Sequence, residues 1–237
     1  MGQKKGGYIM KAMILAAGRG ERMRPLTDER PKPLLKVNGK ALIEWHIEAL
    51  VEAGIKEIMI NTSWLGGMIP EYLGDGSYWG ITLAYSHEEK ALETAGGIRK
   101  AIEFFADEPF IVVNGDVWCD IDFSTLLNQP TKMAHLVLVA NPAHHPRGDF
   151  VLDKGRVQLK GEIRWTYSGI GVYQPAMFKH LPEKQPYPLA PLLKQLMDYE
   201  QVTGEIYQGK WLDIGTPQRL QELNESLSRR HQGIDFK

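Results

Sequence analysis

The chain has 237 residues, 43% of them apolar, and a formal charge of −1. That apolar fraction excludes a disordered chain, and the near-neutral charge argues against a nucleic-acid binder. A single cysteine, Cys119, excludes a disulfide framework within the chain, and no apolar run is long enough to span a bilayer.

Residues 1–9 read as a cloning remnant or an alternative start ahead of one domain spanning 10–237. They are too short and polar for a signal peptide, and Gly6 stands where a myristoylation signal requires Ser or Thr. From Met10 onward, apolar strand-like runs alternate with helical patterns. Strands are expected at Ala12–Ala17, Glu57–Asn61, Thr82–Ser86, Phe110–Asn114, Ala134–Ala140 and Gly169–Tyr173. The spacing predicts helices over Ala41–Ala53, closed by Gly54, then Ile98–Phe105, Leu189–Glu200 and Pro217–Arg229, the last capped by Thr216. Strand–helix alternation in the first half implies a mostly parallel central sheet flanked by helices. The Gly-rich middle, His144 to Tyr173, is expected to hold antiparallel strands and a substrate lid.

The most informative segment runs from Leu15 through Ala16-Ala17-Gly18-Arg19-Gly20-Glu21-Arg22-Met23-Arg24-Pro25-Leu26 to Thr27, followed by Pro31-Lys32-Pro33-Leu34. A Gly-rich turn directly after a buried strand lies at the carboxyl edge of the sheet, where open α/β folds bind ligands. Gly18 and Gly20 let backbone N–H groups approach phosphate oxygens. Between Gly18 and Lys40 stand seven Arg or Lys against three Asp or Glu, a local excess that suits an anionic ligand. A dinucleotide fingerprint fails because Met23 occupies its third glycine position, and no Walker Gly-Lys-Ser/Thr is present. Alone, Gly-x-Gly also describes an ordinary tight turn, and Lys32 a solvated lysine; Pro31 and Pro33 argue against the latter by stiffening the chain on both sides.

Two carboxylates complete the set. Asp116 follows the apolar run Phe110–Asn114 and Gly115, and Asp213 precedes a helix start within Trp211-Leu212-Asp213-Ile214-Gly215-Thr216. Mg²⁺ takes hard oxygen ligands and commonly uses one or two protein carboxylates plus phosphates and water. Asp213 also fits a plain loop acid. No Ser-His-Asp, Cys-His or zinc-ligand spacing is evident, and His144-His145 are adjacent loop residues that rarely converge on one metal.

These residues resemble the sugar-phosphate nucleotidyltransferase family, whose opening signature stands here as Leu15–Thr27 and Pro31–Leu34. The resemblance implies a single-domain, Rossmann-like (GT-A-like) α/β fold. It implies transfer of a nucleotidyl group from a nucleoside triphosphate to a sugar 1-phosphate, with Mg²⁺ as cofactor. Gly18, Gly20, Glu21, Arg22 and Lys32 would bind the nucleotide, with Arg22, Lys32 and Asp116 catalytic. Asp116 and Asp213 would hold the metal. Glu93-Thr94-Ala95-Gly96-Gly97 resembles the loop that touches the base and sugar of the nucleotide, which brings in Gly96.

The likeness is nearest to members that use UTP and N-acetylmuramic acid 1-phosphate in bacterial cell-wall recycling. It rests on Val113–Trp118, Asn141–Phe150, Tyr167–Ile170 and Gly209–Thr216. Carried over, it assigns Asn114, Asp149, Glu162 and Gly169 to the sugar phosphate. The implied enzyme is cytoplasmic, a monomer or small homo-oligomer, without nucleic-acid or membrane partners. No hexapeptide repeat is present, so a second catalytic or regulatory domain is not expected.

Three rivals remain. The same chemistry on mannose 1-phosphate with GTP, or on glucose 1-phosphate with dTTP or UTP, differs only in the segments Asn141–Phe150 and Gly155–Gly169. A silent nucleotide-sugar sensor would be expected to lose Lys32, Arg22 or an aspartate, and all are present. A glycosyltransferase would carry an Asp-x-Asp metal motif, whose spacing Asp120-Ile121-Asp122 has.

Overall fold

Apolar alternation sets the first strand, β1 (Lys11–Leu15): Ala12 and Ile14 enter one buried cluster and Met13 another, so both faces are covered. The computed structural model describes residues 10–129 and 132–231. Residues 1–9, read above as a remnant or alternative start, lie outside them.

After β1 come a two-stranded ribbon, β2 (Lys36–Val37) and β3 (Lys40–Ala41), and helix α1 (Leu42–Glu52). Glu44 accepts from the Ala41 N–H at 2.7 Å, closing the start of α1, and Gly54 at φ +91° ends it. Strand β4 (Glu57–Thr62), short helix α2 (Met68–Leu73) and strand β5 (Thr82–His87) follow. Helix α3 (Glu93–Lys100) starts earlier than Ile98, and Ile102–Phe105 forms a separate 3-10 turn. Gly96 and Gly97 weaken helix propensity, but both are buried, and tertiary packing overrides the local preference.

Strands β6 (Phe110–Asn114), β7 (Val117–Cys119), β8 (Ala134–Val139), β9 (Phe150–Asp153), β10 (Arg156–Gln158) and the long β11 (Arg164–Tyr173) make up the middle. Of these, β9, β10 and β11 fall within His144–Tyr173, and β9 pairs antiparallel with both β10 and β11, as expected there. The chain ends through α4 (Leu189–Asp198), β12 (Val202–Ile206), β13 (Trp211–Asp213) and α5 (Pro217–His231). Strand β12 carries no strong alternation, and Gly204 sits in it because a Cβ there would lie 2.8 Å from the Leu136 carbonyl.

The main sheet runs β5-β4-β1-β6-β11-β8-β12-β10-β9, and β9 also pairs with β11. The expectation of a mostly parallel sheet is corrected: the sheet is mixed. Strands β5, β4, β1 and β6 are parallel, as is β12 with β8; the remaining pairings are antiparallel. Parallel neighbours need a crossover, usually helical. Between Ala134 and Tyr173 no α-helix intervenes, so the strands reverse instead. Strand β11 serves two bodies. Ile170–Tyr173 pair with β6, whereas Arg164 and Trp165 pair with β9 and close β11-β8-β12-β10-β9 into a ring. A register shift between Tyr167 and Ile170 makes the bend, with Gly169 at φ +81°.

Helices α1 and α2 cover one face of the sheet and α3 and α4 the other. A third cluster joins α5 to Met23, Leu35, Val37, Leu42, Trp118 and Ile214. No helix among the described residues is long and apolar enough to cross a membrane.

Candidate active site

Leu15, Asn61 and Asn114 lie in one register at the carboxyl ends of three adjacent parallel strands. Beyond them opens a cleft of 420 Å³, at the carboxyl edge where such sheets bind ligands. Gly18, Gly20, Glu21, Arg22, Lys32, Asn114 and Asp116 all line it. The structure thus brings together most residues that the sequence singled out.

The third apolar cluster explains how. Met23 follows Arg22, Ile214 follows Asp213, Trp118 lies two residues after Asp116 and Leu35 three after Lys32. Each segment sends an apolar residue into one small core and leaves a charged neighbour at or near the cleft. Gly20, at φ +69°, faces Thr27, whose hydroxyl donates to the Gly20 carbonyl at 2.9 Å. Arg19 lies over the Trp64 ring at 3.6 Å, and both donate to the Thr27 carbonyl, which fixes the far side of the loop. Arg22 is exposed, and Glu21 pairs with Arg19 at 3.5 Å.

Lys32 is not a solvated lysine. It is 7% exposed in a 3-10 turn between Pro31 and Pro33, and its Nζ lies 2.9 Å from Asp116 Oδ2. Asp116 occupies the turn between β6 and β7, and its carbonyl accepts from Ile214 N–H at 2.9 Å. That bond and the β7–β13 pairing bring Asp213 beside the Asp116 turn. Asp213 Oδ2 takes Arg219 Nη1 at 2.8 Å and lies 3.2 Å from His144 Nε2. Among the described residues no cluster of three or more His, Cys, Asp or Glu is placed to hold a metal. Two aspartates with hard oxygens fit an ion that takes its other ligands from phosphates and water. Asp116 meets the condition of a free donor, since no partner holds its Oδ1 among the described residues.

Asn114 and Gly169 meet directly. A Cβ on Gly169 would stand 2.6 Å from Asn114 Nδ2. Asp149 lies apart from the cleft wall, with Oδ1 3.0 Å from His145 Nε2 and Oδ2 accepting from Tyr167 N–H at 2.8 Å. The adjacent histidines therefore face different aspartates, His144 toward Asp213 and His145 toward Asp149. Asn141 ties their loop to β11 through the Arg164 carbonyl and the Thr166 hydroxyl. Glu162 is exposed in the loop before β11. Gly96 does not line the cleft; its N–H donates to the Tyr187 carbonyl, and a Cβ would meet the Gln185 carbonyl at 2.5 Å. In that segment Glu93 and Thr94 form the wall. The Asp-x-Asp spacing is occupied otherwise: Asp120 accepts from Lys210 N–H at 2.7 Å, and Asp122 caps the turn at Ser124.

Sequence reasoning missed Asn61 and Glu88, buried at 3% and 1% exposure in the cleft wall. Asn61 accepts from Ala16 N–H and donates to Glu88 Oε1, both at 2.8 Å; Glu88 Oε2 accepts from Leu92 N–H at 2.8 Å. The signal was available for Asn61, a polar residue ending an apolar strand like Asn114. Behind Asp116, His46 of α1 bonds the Val117 carbonyl at 2.8 Å, and burial pushes its imidazole down to about 4.

Residues 11–152 match the family model described as nucleotidyl transferase. The chain is 50% identical over 222 residues to N-acetylmuramate alpha-1-phosphate uridylyltransferase of Neisseria meningitidis serogroup B, covering 90% of this chain and 96% of that one. It is 34% identical to the protein of the same name from Caulobacter vibrioides, over 87% and 92% of the two chains. The fold is also that of a UDP-glucose pyrophosphorylase from Acinetobacter baumanii, with a TM-score of 0.80 at 18% identity over 94% of this chain and 95% of the other.

Proposed function

The chain belongs to the nucleotidyl transferase family, and on that footing we propose that it joins UTP to N-acetylmuramic acid 1-phosphate, giving the UDP-sugar and pyrophosphate. The observation that supports the reaction class is the buried Lys32 paired with the cleft-facing Asp116 in a cleft walled by the Gly18–Met23 loop. The sugar follows from the likeness to the Neisseria protein.

In this reading a phosphate oxygen of the sugar 1-phosphate attacks the α-phosphorus of UTP, and the bond to the β,γ-pyrophosphate breaks. The nucleophile is anionic at neutral pH, so no general base is needed, and positioning with charge neutralisation carries the step. Backbone N–H groups near Gly18 and Gly20, with Glu21 bordering them, cradle the triphosphate. Arg22 and Lys32 place two positive charges on it. Asp116 and Asp213 would hold Mg²⁺, which would supply neutralisation of phosphate charge. Asn114 and Gly169 seat the sugar phosphate, and Asp149 and Glu162 serve its hydroxyls from the ring side. Glu93 and Thr94 meet the nucleotide, while Gly96 lets α3 pack closely beneath them. The Glu88 carboxylate suits a ring N–H such as uracil N3–H and mismatches the bare N3 of cytosine. The N1–H of guanine would suit it too. The reading places the enzyme in the cytoplasm, with cell-wall sugar recycling.

A matrix of purified protein with four nucleoside triphosphates and several sugar 1-phosphates, read by pyrophosphate release, tests this function. UTP with N-acetylmuramic acid 1-phosphate should give the highest kcat/KM. A preference for GTP with mannose 1-phosphate would overturn it.

A further inference from the structure

Each aspartate assigned to the metal already has a cation of its own. Lys32 Nζ stands 2.9 Å from Asp116 Oδ2, and Arg219 Nη1 stands 2.8 Å from Asp213 Oδ2. Asp116 on the cleft wall and Asp213 beside its turn, if unpaired, would attract a free divalent ion strongly; two neutralised pairs attract it far less.

The Arg219 arrangement is built rather than incidental. The residue lies in the first turn of α5, with a side chain only 16% exposed. Its Nε and backbone N both approach the Thr216 hydroxyl, at 3.4 and 3.3 Å. The guanidinium lies across Gly215, a cleft-lining residue; a Cβ there would stand 2.6 Å from Arg219 Nη2 and 3.0 Å from Asp213 Oδ1. Gly215 thus leaves room for arginine and carboxylate to lie together at the cleft wall. His144 Nε2, 2.9 Å from Arg219 Nη1, covers the pair from the loop before β9.

We propose that Arg219 is a positioning residue that acts as the fixed counter-ion of Asp213, keeping a divalent cation off the nucleotide-free site so that the cation enters with the triphosphate. The inference rests on the assignment of the metal to Asp116 and Asp213. Arg219 acts on the metal only through Asp213: it holds Oδ2 in one orientation and cancels its charge until a ligand bearing several phosphate charges shifts the balance. A guanidinium suits this because it stays charged at any working pH and its donors are held in a rigid fork.

Binding of Mn²⁺, followed by paramagnetic resonance of the unbound ion, tests the proposal without turnover. The proteins are wild type, Arg219→Gln, Arg219→Lys and Asp213→Asn, each with and without the non-hydrolysable α,β-methylene analogue of UTP. Wild type should bind Mn²⁺ weakly alone and at least about tenfold more tightly with the analogue. Arg219→Gln should bind Mn²⁺ alone about tenfold more tightly than wild type, because a repelling charge next to the ion is gone. Arg219→Lys should stay near wild type. A merely structural arginine predicts unchanged or weaker binding in Arg219→Gln, and that result in the folded variant overturns the proposal, as does Arg219→Lys binding Mn²⁺ alone as tightly as Arg219→Gln is expected to. Equal wild-type affinity with and without the analogue overturns it as well. Asp213→Asn separates the two levels of the argument: unchanged Mn²⁺ affinity in the analogue complex overturns the metal seat itself.

Discussion

Lys32 and Asp116, 84 positions apart in the chain, meet at 2.9 Å at the wall of the cleft. Arg22, on the same wall, is exposed. The two cations should therefore respond differently to removal. Lys32→Ala should lower kcat/KM for UTP about 100-fold or more, since a buried donor aimed at developing charge is lost. Arg22→Ala should cost about tenfold, because water screens an exposed charge. Steady-state kinetics with UTP varied checks both. A rise confined to the sugar-phosphate KM would place them at the wrong end of the cleft.

Removal of one hard oxygen ligand should abolish turnover without unfolding the chain. Asp116→Asn and Asp213→Asn keep the side-chain shape, and each should lower kcat at least about 100-fold with Mg²⁺ as the only metal. Pyrophosphate release measures the loss, and a thermal melt monitors the fold. Near-normal turnover in both variants would remove the metal assignment.

Gly169→Ala probes the sugar end. The position holds φ +81°, and the new Cβ would press on Asn114 from 2.6 Å. Backbone strain alone is about 1–2 kcal/mol, and Asn114 must also shift. The KM for the sugar phosphate should rise about tenfold while calorimetric affinity for a non-hydrolysable UTP analogue stays the same. Equal loss at both ends would point to general disruption of β11.

The lactyl carboxylate of muramic acid distinguishes it from glucosamine, so a pocket for it needs donors. Arg147 is exposed in the loop that Asn141 ties to β11. Polar sites discriminate against analogues that leave their groups unpaired. N-acetylglucosamine 1-phosphate should be the poorer substrate, and Arg147→Ala should narrow the gap about tenfold. Parallel kcat/KM values for the two sugars test this; an unchanged ratio would dissociate the loop from substrate choice.

His46 gives a pH signature. Burial lowers its folded pKa from 6.5 to about 4, so the unfolded chain takes up the proton first as pH falls. Its contribution is complete above pH 6.5 and is lost as pH falls from 6.5 toward 4, by about 3 kcal/mol in total. Urea unfolding of wild type and His46→Gln from pH 7.5 to 4.5 checks it. The variant should show a shallower decline; parallel curves would mean the imidazole is not held neutral.

Local pattern and special backbone chemistry were readable in the sequence. Gly54, Thr216 and Pro217 marked helix ends that the structure keeps, and Pro31 and Pro33 announced the fixed Lys32. Pairing was harder to read. Nothing local in Arg164–Tyr173 says that one strand will join β6 at one end and β9 at the other. Glu88 belongs to no motif, because its meaning comes from Asn61, Ala16 and Leu92, contacts made only after β1, β4 and β5 align. Arg219 was hidden similarly: it reaches Asp213 across a helix turn and a glycine.

The ring through β11 and β9 also changes how the molecule meets others of its kind. An open nine-stranded sheet has two borders of unpaired peptide groups, each a template for strand addition. Here one border has been sewn onto the sheet's own middle, and among the described residues β5, six residues long, is the border of this sheet that remains. At the end of that strand, the His87 carbonyl is taken by Lys100. For the main sheet, strand-to-strand stacking of copies, the route toward fibres, thereby has one short margin left among the described residues, on the side away from the ring.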